Sequence, residues 1–208
     1  MRTIAILGVS GHGQVVAESA LKAGWDKVVF YDDDISTSKF STRIPVLGDT
    51  EKLILDAHCY AGVVVAIGNN RRRLSKTEHL INAGVHLVSI VHPFAYVSDN
   101  VDIAPGTVIF AGSVVQPGTH LGKAVIVNTG STIDHDCQLG SGVHISPGAH
   151  LSGSVTIGEC TWIGIGSTVI QGKSIGSDVI IGAGATVISD FSDNITAVGV
   201  PARIIHHH

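Results

Sequence analysis

His135 sits in the stretch Asn128-Thr129-Gly130-Ser131-Thr132-Ile133-Asp134-His135-Asp136-Cys137, with a carboxylate on either side. A neighbouring carboxylate can orient an imidazole and favour its charged form. That is the equipment of a general base acting on a nucleophile that still carries its proton. Spacing alone leaves open whether Asp134 or Asp136 reaches the ring. A second constellation lies near the start of the chain: Gly8-Val9-Ser10-Gly11-His12-Gly13, then Asp32-Asp33 about twenty positions later. A glycine-containing turn that opens a helix offers backbone N–H groups to phosphate. An acidic residue at that distance can accept hydrogen bonds from a ribose or base. Ser10 replaces the second glycine of the dinucleotide fingerprint and His12 lies in the loop, which argues against NAD. A degenerate fingerprint kept only as scaffold is the plainer alternative.

Other chemistry-bearing residues get structural readings. Cys59, Cys137 and Cys160 are too few and scattered for a disulfide framework. Cys137, Trp25 and Trp162 read as packing, and His120 and His150 as corner or wall residues. Arg71-Arg72-Arg73 follows Asn69-Asn70 and could reach phosphates or form a solvated helix face. The formal charge of −4 gives no general pull toward nucleic acid or an anionic membrane. No run approaches the roughly 18 apolar residues of a membrane span. The opening MRTIAILGVSGHG lacks a basic segment followed by a long apolar one, so a cytoplasmic protein is expected. His206-His207-His208 reads as a tag remnant.

Two kinds of element must position these residues. Charged residues are 14% of the 208 positions and aromatics 5%, but there are 25 glycines. Residues 1–96 hold 19 of the 30 charges and 8 of the glycines, so composition shifts near residue 96. In the first part, apolar runs at 3–9, 27–31, 62–67 and 85–91 alternate with amphipathic segments at 14–23, 50–57 and 71–83. That alternation predicts a small doubly wound parallel sheet, whose ligands bind beyond the carboxyl ends of its strands. In the second part, stepping by six from Val97 to Val187 meets Val, Ile or Leu at all 16 positions. A six-residue period fits neither a helix nor an alternating strand. It fits a coil with three short strands per turn of about 18 residues. Gly122, Gly140, Gly158 and Gly176 follow inward aliphatics and are expected to permit tight corner backbone.

The repeat resembles the hexapeptide-repeat family, whose domain is a left-handed parallel β-helix. The expected division is 1–93 for a Rossmann-like domain, 94–205 for the β-helix and 206–208 for the remnant. That family is dominated by trimeric acyltransferases with sites between subunits, and also holds zinc carbonic anhydrases. The zinc pattern includes two histidines five residues apart, a spacing absent among His120, His135, His144 and His150, so no metal is expected.

The Gly8–Gly13 turn, Asp32-Asp33, Ala66-Ile67-Gly68-Asn69-Asn70, Asn128-Thr129, His135-Asp136-Cys137 and Gly199-Val200-Pro201-Ala202-Arg203 together narrow the resemblance. The chain resembles the bacterial nucleotide-amino-sugar N-acetyltransferases of the bacillosamine pathway (PglD-like), close relatives of the NeuD-like sialic acid O-acetyltransferases. The resemblance implies His135 as base and Asp136 as its acidic partner, an Asp where the bacillosamine enzyme has Glu. It implies Asn128 as a polar substrate residue, and His144, Gly153, Ile165 and Ala183 along acetyl-CoA, Ala183 replacing a family Gly. It implies that Ser10, Gly11, His12, Asp32, Asp33 and Asn69 hold the nucleotide sugar. The activity implied is acetyl-CoA-dependent N-acetylation of a UDP-linked 4-amino-4,6-dideoxy sugar for glycan biosynthesis, by a homotrimer. Sugar or sialic acid O-acetylation is one alternative, and a non-catalytic β-helix scaffold is the other.

Overall fold

The computed structural model describes residues 1–34 and 44–208. The chain begins with β1 (Thr3–Leu7), α1 (Gly11–Lys22), β2 (Lys27–Tyr31), α2 (Thr50–Asp56), β3 (Gly62–Val65) and α3 (Asn70–Asn82). The strands pair in parallel in the order β2-β1-β3. Buried runs such as Ile4–Leu7 and Val63–Val65 suit strands covered on both faces. Four strands were expected in this sheet, and among the described residues it has three. The run 85–91 divides instead: Leu87 makes an isolated bridge to Val63, and β4 (Ile90–Val91) pairs with Val108-Ile109 of the coil. A segment this short serves two sheets because each takes only a residue or two of it.

From Tyr96–Val97 to Thr186–Val187, two-residue strands recur every six residues, β5 to β20. They stack into three faces, a six-stranded one from β5 to β20, a five-stranded one from β6 to β18, and an eight-stranded one from β4 through β7 and β19. Ile195–Val198 (β21) and Arg203–His207 (β22) close the eight-stranded face as an antiparallel pair. The result is the expected left-handed parallel β-helix. Its core holds the stepped aliphatic column from Ile109 to Val187. A second inward column lies two residues before each of these: Val125, Cys137, Val143, Ala149 and Val155 are all fully buried. Buried hydroxyls in that column are satisfied locally, as when Thr107 Oγ1 donates to Gly122 O at 2.9 Å.

Glycine has two separate jobs in the coil. Left-handed backbone recurs every six residues from Gly106 to Gly184, and five of those positions are not glycine: Ala124, Asp136, Ser154, Cys160 and Asp178. Gly122, Gly140, Gly158 and Gly176 are not among them, contrary to expectation. They are needed because the next coil passes too close: a Cβ at Gly158 would lie 2.4 Å from the backbone of Gly176 and Ser177.

The α/β unit packs on the eight-stranded face. Val108, Phe110 and Ile126 of the coil share a buried cluster with Ile4, Ile6, Val16 and Phe30. Among the described residues, no helix is long and apolar enough to cross a membrane.

Candidate functional site

Three clusters hold the residues singled out above. The first is a cleft of about 590 Å³ at the carboxyl ends of β1 and β3. Gly8, Ser10, Asp32 and Asp33 line it, and Arg71, Arg72 and Lys76 of α3 face them. Ser10 caps α1 by accepting from Gly13 N at 3.5 Å. Asp32 braces this turn: Oδ2 accepts from Val9 N at 2.7 Å and Oδ1 from Asp34 N at 2.9 Å. Asp33 pairs with Lys76 Nζ at 2.7 Å and accepts from Thr50 N at 2.8 Å. Burial alone would raise its pKa, but these partners more than offset that and leave it lowered.

His12 points elsewhere, toward the coil. Its ring meets Phe110 edge-on at 5.7 Å, and its buried Nε2 has no hydrogen-bond partner among the described residues. Burial first, and the charge of Arg73 second, lower its pKa to about 4, so it is neutral at pH 7. Asn69 caps α3 by accepting from Arg72 N at 3.0 Å. It lines a neighbouring cleft with Asn70, Cys160 and Trp162 instead of the one holding Ser10. The three arginines divide, which neither sequence reading anticipated. Arg71 and Arg72 line the first cleft, while Arg73 is 1% exposed.

The second cluster lies on the eight-stranded face. Asn128 Nδ2 donates to His144 Nε2 at 3.0 Å, which leaves Nδ1 of His144 as its N–H. Trp162 stacks flat on His144, centroids 5.7 Å apart and 6° between planes, and its Nε1 donates to Ser146 Oγ at 2.6 Å. Burial, then Arg73 and His12, lower the pKa of His144 to about 3. Trp162 was read as packing, yet it is 47% exposed and props an imidazole. Its signal was available: 144 and 162 differ by one coil, so the rings must be neighbours. Ile165 and Ala183, again one coil apart, are exposed along the adjoining corner, joined by Gly184 N donating to Ile165 O at 2.8 Å.

The third cluster is at the corner between the six-stranded and five-stranded faces. Asp136 takes left-handed backbone there, φ 59°, a conformation short polar residues tolerate. Its Oδ2 meets His135 Nδ1 at 2.8 Å, so Asp136, not Asp134, orients the ring. This hydrogen bond is the main cause of the raised His135 pKa. It also leaves Nε2 as the basic nitrogen. Gly153 lies beneath the ring, where a Cβ would come within 2.6 Å of Nε2. Gly11 is exposed at the start of α1. Among the described residues, no group of three or more His, Cys, Asp or Glu is placed to hold a metal ion. Cys137 is buried in the core with its thiol pKa raised by that burial, the state of an inert cysteine.

Known proteins resemble both halves of the chain. The family described as PglD N-terminal domain matches residues 3–80. The acetyltransferase domain of PglB from Neisseria gonorrhoeae FA1090, solved in complex with acetyl coenzyme A, is 43% identical with a TM-score of 0.93. That match covers 98% of this chain and 99% of the other. The chain belongs to the PglD-like nucleotide-amino-sugar N-acetyltransferases. Another relative of this PglD-like protein is PerB from Caulobacter crescentus, solved in complex with CoA and GDP-perosamine. It is 36% identical, with a TM-score of 0.91 over 98% of this chain and 97% of that one. UDP-N-acetylbacillosamine N-acetyltransferase of Bacillus subtilis (strain 168) is 37% identical over 118 residues, 53% of this chain. The match spans about half the length of that curated relative.

Proposed function

We propose that the protein transfers the acetyl group of acetyl-CoA to the 4-amino group of a nucleotide-linked 4-amino-4,6-dideoxy sugar, UDP being the first nucleotide to test. The observation that carries this reading is the His135–Asp136 pair, an outward-facing imidazole with its Nδ1 tied to a carboxylate and its Nε2 free. Nε2 would take the proton of the attacking amine as nitrogen adds to the thioester carbonyl. Collapse of the tetrahedral intermediate would expel the CoA thiolate, which the imidazolium reprotonates. The Nδ1–H of neutral His144 is suited to a carbonyl oxygen gaining charge. Ile165 and Ala183 of one chain, with Gly153 beneath the His135 ring of its neighbour, would complete the wall assigned to acetyl-CoA. Ser10, Gly11, Asp32 and Asp33 are assigned to the nucleotide, with His12 and Asn69 toward the coil. Acetyl-CoA, CoA and GDP-perosamine in the relatives' structures and the named activity of the curated relative support the choice of the two substrates.

The catalytic unit in this reading is a homotrimer. In a triangular coil, the corner bearing His135 lies opposite the face that carries His144 and the α/β unit. A neighbouring chain therefore has to bring its His135 to the amine. We place the reaction in the cytoplasm, where acetyl-CoA and nucleotide sugars are available, within bacterial glycan biosynthesis.

The test is thiol release from acetyl-CoA across UDP-, dTDP- and GDP-linked 4-amino sugars, with CMP-sialic acid and free sialic acid as hydroxyl acceptors. Release with an amino sugar supports the proposal, and release with sialic acid alone replaces it with O-acetylation. No release with any acceptor leaves the scaffold reading.

A further inference from the structure

The first turn of α3 runs along one corner of the coil and touches it at successive heights. Corner residues Ala124, Gly142, Cys160 and Asp178 stack at 18-residue intervals, all with left-handed backbone. Arg73 Nε donates to Ala124 O at 2.8 Å, and its Nη2 to Gly142 O at 2.8 Å. One coil further, Asn70 Nδ2 donates to the carbonyls of Cys160 at 3.0 Å and Thr161 at 3.3 Å. At the next coil, Arg71 pairs with Asp178. Residues 70–73 thus grip four consecutive coils.

Arg73 is the centre of this grip. Its Nη1 donates to Ile67 O at 3.0 Å and Gly68 O at 3.2 Å, and Nη2 also donates to Asn70 Oδ1 at 3.0 Å. All five N–H groups of the guanidinium are used, and all five acceptors are neutral. Burial lowers its pKa to about 10, so it remains charged at neutral pH. A buried cation held only by neutral oxygens is a costly way to gain stability, and an apolar side chain often does as well. What a planar fork supplies is geometry. It binds the Ile67-Gly68 backbone, which lines the cleft with Ser10 and Asp33, to two successive turns at one corner of the coil that bears Asn128 and His144. The same charge lies close enough to His12 and His144 to help keep both imidazoles neutral.

We propose that Arg73 is a positioning residue, whose fork holds the nucleotide cleft in fixed register with the acyl-transfer face of the coil. This rests on the acetyl-transfer reading above. The experiment compares wild type with Arg73→Lys and Arg73→Met, measuring kcat, KM for both substrates, and calorimetric binding of CoA and the nucleotide sugar. Both ligands should still bind within about threefold, because none of the residues assigned to contact them is removed. Turnover per CoA site should fall by about 10²-fold, the cost of a small misplacement. Lysine should not rescue it, since three donors on a flexible stem cannot replace the fork. A merely structural role lowers Tm but leaves turnover per folded site unchanged. A kcat near the wild-type value in both variants therefore overturns the proposal. Where neither variant folds, Asn70→Ala removes part of the same grip without stranding a charge. It should lower kcat by about 3–10-fold, and an unchanged kcat there also overturns the proposal. A wild type that releases no thiol removes the acetyl-transfer reading and this one with it. An active wild type with equally active variants removes only the role of Arg73.

Discussion

At the scale of single residues, His135 depends on a neighbour in sequence and a neighbour in space. Asp136 raises its pKa through a side-chain hydrogen bond. A base must be deprotonated to act, so kcat/KM should rise with pH through that raised value. Asp136→Asn keeps a short polar residue in the left-handed corner but removes the charge. Its acidic limb should move to lower pH, and the plateau rate should fall by roughly 10-fold as basicity drops. A pH–rate profile with an unmoved limb would count against the pair. Gly153→Ala tests position without touching charge. The added methyl would meet the far end of the His135 ring, which swings away more easily than backbone moves. Turnover should fall by about 10²-fold with Tm nearly unchanged.

At the scale of elements, the coil's stability depends on close stacking of backbone as much as on its aliphatic column. Gly158 approaches the backbone of the next coil, which no rotamer change can move aside. Gly158→Ala should therefore destabilise by about 1–3 kcal/mol, the usual cost of overpacking. Thermal unfolding checks this, and a Tm equal to wild type would show that the coils can separate freely. The helix α3 is the second structural element that matters here. It is a crossover by sequence and a clamp by structure, because Asn70 and Arg73 at its start meet carbonyls of the coil.

For the whole molecule, packing the α/β unit on the coil leaves two neutral imidazoles near the junction. His12 and His144 have pKa values of about 4 and about 3 when folded, against 6.5 when free. Between those values the unfolded chain binds more protons, so stability is complete above pH 6.5 and is lost as pH falls toward 4 and 3. The Tm should drop by roughly 5–10 °C between pH 7 and pH 5. Replacing both histidines with Gln should flatten that slope in a calorimetric pH series. An equally steep slope in the double variant would assign it to carboxylates instead.

The six-residue period was legible because every coil repeats the same environment, so each inward position independently demands an aliphatic side chain. The His135–Asp136 pair was half legible: adjacency in sequence offered two carboxylates, and only the left-handed corner at Asp136 turned one of them onto the ring. The reason for glycine at 122, 140, 158 and 176 was misread, since a contact with the next coil leaves no trace in local sequence. The same holds for Trp162 on His144, although the coil length would have placed them together. Arg73 was the hardest to read. Its acceptors Ala124 and Gly142 lie 51 and 69 residues away, and a run of three arginines gives no sign of which one is buried. Sequence by itself determined the coil, its inward column and the histidine beside its carboxylates, because those follow from repetition and adjacency. Tertiary structure decided which carboxylate orients the base, which arginine joins the halves and which imidazoles are neutral. Those depend on what packs against each group, and burial is a property of the folded whole.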